Sequence, residues 1–185
     1  MKRTITAVSA LALAAGLVWA ARAQEGFQMP KTEKEHEYLK QFAGNWDSVT
    51  SFRETAEQKW AESKGTESCR MIGDFWVISE WKGDMGGMTI EALGTNGYDP
   101  FKKKFVSTWI SNMEPVLGTG EGTLDAAGKV LTTKISSTDC KTGKPSEGRM
   151  TQEFKDKDTV VWVMYMTGKD GKEFECMKGE SKRKK

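Results

Sequence analysis

Turn signals recur every eight to fourteen residues along most of this chain, and this spacing constrains the fold more than any other feature. After Gly44, the runs between the turns alternate apolar and polar residues with a period of two, which is typical of β-strands. No interval is long enough for a parallel crossover, so consecutive strands must pair antiparallel. The predicted turns include Gly83-Asp84 and Asn96-Gly97, and the predicted strands are 45–53, 64–72, 75–82, 87–96, 104–112, 115–124, 129–137, 147–155, 159–167 and 172–181.

The predicted fold class is therefore all-β. An antiparallel up-and-down meander of about ten strands most simply closes into a barrel, because closure removes the exposed strand edges. One short helix precedes the strands, from Thr32 to Phe42, with Thr32 as the cap and Glu35 at capping-box spacing. Its apolar face includes Tyr38, and Gly44 ends it.

Residues 1–23 have the features of a removable signal peptide. Lys2 and Arg3 precede a run of small apolar residues, and Ala21-Arg22-Ala23 supplies the small residues that a signal peptidase needs. We expect cleavage between Ala23 and Gln24, and a protein that is periplasmic or secreted. An uncleaved membrane anchor is the alternative, although the apolar run is short for a span.

The expected mature chain, residues 24–185, has the size of a single domain and ends in a short basic tail, 182–185. The full chain has 28 Lys and Arg against 26 Asp and Glu. Three of the basic residues fall in the leader, so the mature chain has a net charge of −1. A nucleic-acid-binding protein needs a clustered basic face, and we predict no nucleic-acid partner. We also predict no transmembrane segment in the mature chain.

No residue pattern predicts an active site or a metal site. His36 is the sole histidine, and we expect it to be structural or on the surface. The three cysteines, Cys69, Cys140 and Cys176, include no C-x-x-C pair. We predict that the two in strands are small buried residues, and a disulfide remains open because pairing cannot be derived from spacing. The sequence therefore predicts no catalytic residue, no metal and no cofactor.

Strand alternation predicts which side chains face the barrel interior. In 75–82, Glu80 and Lys82 should face water, which places the residues between them inside. The same reasoning applies around Glu91, whereas the facing of 104–112 is ambiguous. An apolar lining with a few hydroxyls is typical of a small-molecule pocket. The predicted ligand-binding residues are Trp46, Ser48, Phe75, Val77, Trp81, Met88, Ile90 and Trp109.

Several motifs, taken in order, are similar to those of a known family. Gly44-Asn45-Trp46, after a short helix, resembles the G-x-W signature of lipocalins and other calycins. The wider pattern resembles the bacterial domain of unknown function 1579 family, from about Met29 to Lys182. Its motifs here are Met29-Pro30, Glu35-His36-Glu37, Lys64-Gly65-Thr66-Glu67-Ser68, Gly73-Asp74-Phe75-Trp76-Val77, Gly97-Tyr98-Asp99-Pro100, Thr108-Trp109-Ile110 and Glu121-Gly122-Thr123-Leu124-Asp125. The resemblance implies a calycin-like barrel, a fold that often binds small hydrophobic molecules, with Trp46 as a plug at one end.

Three functions remain open at this level. The preferred one is a binding module for a small apolar or amphipathic molecule. The second is a structural barrel whose interior is filled by Trp and Met residues, of which the full chain has seven and ten, because small barrels are often solid. The third is an enzyme that uses carboxylates, or Arg70 and Arg149, inside the barrel. The ligand and the oligomeric state do not follow from the sequence.

Overall fold

The computed structural model describes residues 30–168 and 170–185, and the predicted leader with its cleavage point lies outside them. The stretch from Thr32 to Lys185 forms one compact unit. Within the part of the chain described, no helix is long and apolar enough to cross a membrane. The elements are α1 (Lys34–Lys40), β1 (Gly44–Phe52), β2 (Ala61–Ile72), β3 (Trp76–Met85), β4 (Met88–Asp99), β5 (Lys104–Ser111), β6 (Glu114–Leu124), β7 (Val130–Thr138), β8 (Pro145–Asp156), β9 (Thr159–Thr167) and β10 (Glu173–Arg183).

The ten strands form a closed antiparallel barrel in which each strand pairs with the next along the chain. Strand β1 closes the barrel against β10, with a register that runs from Trp46 opposite Arg183 to Phe52 opposite Met177. Closure satisfies the backbone groups that an open sheet would leave at its two edges. The predicted all-β, up-and-down barrel with a short N-terminal helix is confirmed.

The helix is shorter than predicted and has a different cap. It runs from Lys34 to Lys40, and Glu33, rather than Thr32, occupies the cap position. The backbone N–H of Glu33 donates to Nδ1 of His36, 2.8 Å away, so this imidazole takes the place predicted for Glu35. His36 is buried, with its ring edge-on to Tyr98. The histidine is therefore a structural residue that fixes the start of the helix.

Two of the predicted turns lie inside strands. Strand β3 continues through Gly83-Asp84 to Met85, and the chain turns at Gly86 and Gly87, whose φ angles are 63° and 88°. Asn96-Gly97 lies within β4, where a Cβ on Gly97 would meet the ring of Trp76. A glycine in a strand often marks the close approach of another group, and here that group is an indole ring.

The apolar core occupies the end of the barrel at which α1 lies and β1 begins, here called the helix end. Tyr38 and Leu39 of the helix pack into it, and Phe42 and Phe154 lie against it. The other half of the barrel, towards the end of β1, is here called the far half. The buried core cluster consists of Tyr38, Leu39, Trp46, Cys69, Val77, Phe105, Leu131 and Val160.

Candidate functional site

Three of the eight predicted lining residues lie at the helix end. Trp46 is 2% exposed, and its indole N–H donates to the carbonyl oxygen of Phe42 at 2.8 Å. The guanidinium of Arg183 lies over the same ring, 4.0 Å from its centroid. Val77 is buried in the core cluster. Phe75, the first residue of the predicted strand 75–82, lies instead in the turn before β3, with its ring 5.2 Å from that of His36. These contacts are those of a packed end.

The other five predicted residues belong to the far half. Ser48 and Ile90 are buried, and Trp81 is partly buried. Trp109, on the strand whose facing was ambiguous, pairs with Gly94 on the inner face and is 45% exposed. Met88, predicted to be inside, is 55% exposed because it is the first residue of β4, next to the hairpin. The structure thus divides the predicted site between two regions, and the far half is the candidate site.

The indole of Trp81 lies flat against the barrel wall, on two glycines. A Cβ on Gly65 would come within 2.5 Å of the Trp81 ring, and one on Gly83 would also collide with it. The indole N–H donates to the hydroxyl oxygen of Ser48 at 2.9 Å, which fixes the ring in this position. An indole held against the wall presents its face to the interior.

Two further tryptophans are arranged in the same way. Trp162 on β9 lies on Gly179 of β10, where a Cβ would come within 2.6 Å of the indole. Trp109 lies on Gly94, at 3.1 Å from the corresponding Cβ position. Trp162 was not among the predicted site residues because both faces of its strand are apolar, so alternation does not show which face is internal. Gly179 opposite Trp162 marks the close approach of the indole, but Trp76 pairs with Gly97 in the same way on the outer face, so the pairing alone does not show which face is internal.

Buried hydroxyls separate these aromatic surfaces. The buried polar residues among those described are His36 and six hydroxyl residues that share the inner face of the barrel, namely Ser48, Thr50, Ser63, Ser79, Thr133 and Ser181. The hydroxyl of Ser63 donates to the carbonyl oxygen of Asp84. The inner wall of the far half therefore combines indole faces with small hydrogen-bonding groups.

Glu67 adds an ionisable group to this wall. It belongs to the family motif Lys64-Gly65-Thr66-Glu67-Ser68, but no sequence pattern predicts that it faces inward. It lies on β2, in register with Trp46 on one side and Trp81 on the other. Burial raises the pKa of its carboxyl above the usual value, while hydrogen bonds from Ser79 and Cys69 act in the opposite direction. Burial, followed by the neighbouring Glu67 charge, also raises the pKa of the Cys69 thiol. Both groups therefore favour their protonated forms more than they would in water.

The two arginines considered for an enzyme are not inside the barrel. Arg70 is exposed, because the inward positions beside it are Cys69 and Met71. Arg149 lies over the Tyr165 ring, 3.9 Å from its centroid, and forms an ion pair of 2.6 Å with Glu173. The expectation that they act inside the barrel is therefore wrong, because strand alternation places both on the outer face.

The three cysteines are free thiols. Cys69 and Cys176 are buried in strands, as predicted, and Cys140 is exposed in the hairpin between β7 and β8. The sulfur of Cys176 lies 3.4 Å from the carbonyl oxygen of Met164. The two strand cysteines thus serve as small packing residues of the wall.

Two open grooves occur on the described surface of the barrel. The larger, of about 820 Å³, crosses β1 to β5 beside the outward-facing Leu93 and Ile110. Lys82 and Glu91 form an ion pair of 2.8 Å along it, whereas Glu67 and Glu80, which also line it, form none with the residues described. The smaller groove, of about 480 Å³, contains the Arg149–Glu173 pair. Neither groove holds an unusual constellation of reactive groups, which leaves the inner wall as the candidate site.

A closed antiparallel barrel, plugged by a tryptophan behind a short helix, defines the class of calycin-like proteins. Within that class, the chain belongs to the family described as protein of unknown function (DUF1579), whose model matches residues 31–183. A search of curated proteins gave no match. The family assignment agrees with the resemblance derived from the motifs.

Solved structures with the same fold include Rv2717c from M. tuberculosis, at a TM-score of 0.64 and 11% identity, over 84% of this chain and 100% of that one. An S-type phycobiliprotein lyase, CPES from Guillardia theta, matches at a TM-score of 0.56 and 13% identity, over 84% of this chain and 99% of that one. At such low identity the comparison establishes the fold alone, and function must be argued from the residues.

Proposed function

We propose that this chain is an exported binding protein that holds a small hydrophobic or amphipathic molecule in the far half of the barrel. The observation that carries the proposal is the set of three inward tryptophans, Trp81, Trp109 and Trp162, each lying on glycine. Glycine gives less strand stability than a residue with a side chain, so this arrangement is costly for a wall that serves only as a core. It is well suited to a wall that must present flat apolar surfaces to a ligand.

The hydroxyls support the same function. A buried hydroxyl needs a hydrogen-bond partner and contributes little to an apolar core. Ser48 and Ser79 lie next to the Trp81 indole and the Glu67 carboxyl, so the wall offers polar groups beside an apolar face. Pockets for small molecules combine these two features.

A filled structural barrel is the competing function. In that case the indoles would pack against one another across the interior and no added molecule would reach them. The aromatic contacts among the described residues favour the binding protein, because they concentrate at the helix end, around Tyr38, Phe42 and Phe154. The three glycine-backed indoles make none of these ring contacts.

Ligand titration monitored by tryptophan fluorescence tests the proposal. A panel of amphipathic molecules with a single apolar chain or ring system should include members that change the spectrum saturably, and Trp81→Phe should remove much of that change. Trp76→Phe is the matched control, because Trp76 lies on Gly97 at the outer face. If no member of the panel perturbs the wild-type spectrum, the filled barrel is the better description.

Export is the second part of the proposal, and it rests on the leader sequence. A charged start, a short apolar run and Ala21-Arg22-Ala23 together support cleavage before Gln24 and a periplasmic or secreted protein. N-terminal sequencing of protein recovered from outside the cytoplasm should begin at Gln24. Recovery of an exported form that still begins at Met1 would reject cleavage and favour the uncleaved anchor.

A further inference from the structure

Glu67 is a carboxylate on the inner face of the barrel, between the two regions described above. Its neighbours in register are Trp46, which belongs to the packed helix end, and Trp81, whose indole leans over Gly65 and Gly83 into the far half. A molecule lying on the Trp81 face would therefore have one end next to Glu67. The position is that of an anchor at the inner end of the proposed site.

Glu67 has no ion pair with a lysine or arginine among the residues that the structure describes. The polar groups beside it on the inner face, the Ser79 hydroxyl and the Cys69 thiol, are uncharged. Several carboxylates on the outer face have cationic partners, such as Asp47 with Lys184 at 3.0 Å. A partly buried carboxylate without a counter-charge is less well solvated than one in water, so a cation placed beside it would be bound favourably.

Arg183, a cation at the helix end, forms its hydrogen bonds and its ion pair with groups other than Glu67. Its guanidinium donates to the carbonyl oxygens of Ala43, Gln41 and Lys157. It also forms an ion pair of 3.3 Å with Asp158 and stacks on the ring of the Trp46 plug. With Arg183 committed to these groups, a bound cation is the partner that would complement an ionised Glu67.

The aromatic surface beside Glu67 favours the same kind of headgroup. An indole face attracts cations through its quadrupole, and the Trp81 face is fixed next to the carboxyl by its bond to Ser48. An anionic headgroup would meet both the carboxylate and the negative face of the ring. The rest of the wall, which Trp109 and Trp162 line, then determines which chain lengths and ring sizes the site accepts.

We propose that Glu67 anchors the headgroup of the ligand, and that the ligand is an amphipathic amine: a protonated amino group held between Glu67 and the Trp81 face, with an apolar body on the glycine-backed indoles. This inference rests on the proposed binding function and specifies its substrate class. It predicts a preference for amines over carboxylic acids with the same apolar body.

Calorimetric titration of the purified protein with dodecylamine, dodecanol and dodecanoic acid, each below its aggregation concentration, tests this preference. Dodecylamine should bind at least about tenfold more tightly than dodecanoic acid, with dodecanol between them. Glu67→Gln should reduce the affinity for dodecylamine by about tenfold or more and leave that for dodecanol nearly unchanged. Glu80→Gln is the matched control, since Glu80 is an exposed carboxylate on the adjacent strand, and it should change nothing.

The outcomes separate the two proposals. If none of the three molecules binds and no member of the wider panel does, the binding function itself fails, and the anchor with it. If dodecanol or dodecanoic acid binds as tightly as dodecylamine, the site exists but Glu67 is not its anchor. Glu67 is likewise not the anchor if Glu67→Gln keeps the amine preference. The headgroup series in wild-type protein decides the question even if Glu67→Gln does not fold.

Discussion

The two ends of the barrel use tryptophan in opposite ways. At the helix end, Trp46 is enclosed on all sides, with its N–H bonded to Phe42 and Arg183 stacked on its ring. In the far half, Trp81 and Trp162 lie flat on glycines, with hydroxyls beside them. The first arrangement maximises packing, and the second keeps the ring against the wall. One end therefore stabilises the fold, and this leaves the other end free to bind.

The largest expected effect comes from truncating a tryptophan at each end. Trp46→Ala should lower the free energy of unfolding by about 3–5 kcal/mol, because it removes a fully buried aromatic from the core. Trp109→Ala should cost less than about 1 kcal/mol, since that side chain is 45% exposed. Urea melts of both variants measure the contrast. Equal losses would show that the far half is packed as tightly as the helix end.

The next effect concerns the glycines beneath the indoles. Gly179→Ala should destabilise the protein by about 1–3 kcal/mol, because a Cβ at this position collides with Trp162. It should also weaken ligand binding, since the displaced ring enters the interior. Gly118→Ala is the matched control, because its Cβ would come no closer than 3.6 Å to Trp109. If both variants behave like wild type in melts and titrations, the indole positions do not depend on glycine.

The smallest effect is a pH-dependent gain in stability. The pKa of Glu67 is higher in the folded barrel than its value of 4.5 in the unfolded chain, so ionisation weakens the folded state as pH rises through the folded pKa. Glu67→Gln removes this loss and should be more stable than wild type above that range. Below 4.5 the difference should vanish, because the carboxyl is then protonated in both states. A variant that is less stable than wild type only where Glu67 is ionised would show that the charge of Glu67 contributes favourably to folding.

Much of the fold could be predicted from the sequence, because alternation and regular turn spacing are local signals. The predicted strand boundaries are less accurate where a glycine packs against a side chain of another strand. Gly83 and Gly97 resemble turn residues in sequence, yet they lie under Trp81 and Trp76 within strands. The indole contacts override the turn preference of glycine.

The candidate site could be predicted only in part. Alternation with charged neighbours predicts that Ser48 and Trp81 face inward. It makes no prediction for Trp162, because both faces of that strand are apolar. Glu67 is harder still, because a charged residue in a strand is normally assigned to the outer face. Its inward position follows from the register of β2 with β1 and β3, which depends on long-range pairing.

Whether a ligand contacts the far half and not the helix end can be measured residue by residue, by ¹⁹F NMR of protein labelled with 5-fluorotryptophan. Substituting each tryptophan in turn assigns its resonance, and dodecylamine is then titrated into the labelled wild type. We predict saturable shifts for Trp81, Trp109 and Trp162, with Trp46 and Trp76 unchanged. Shifts confined to Trp46 or Trp76, or saturable binding that moves none of the three inward resonances, would show that the far half is not the binding site.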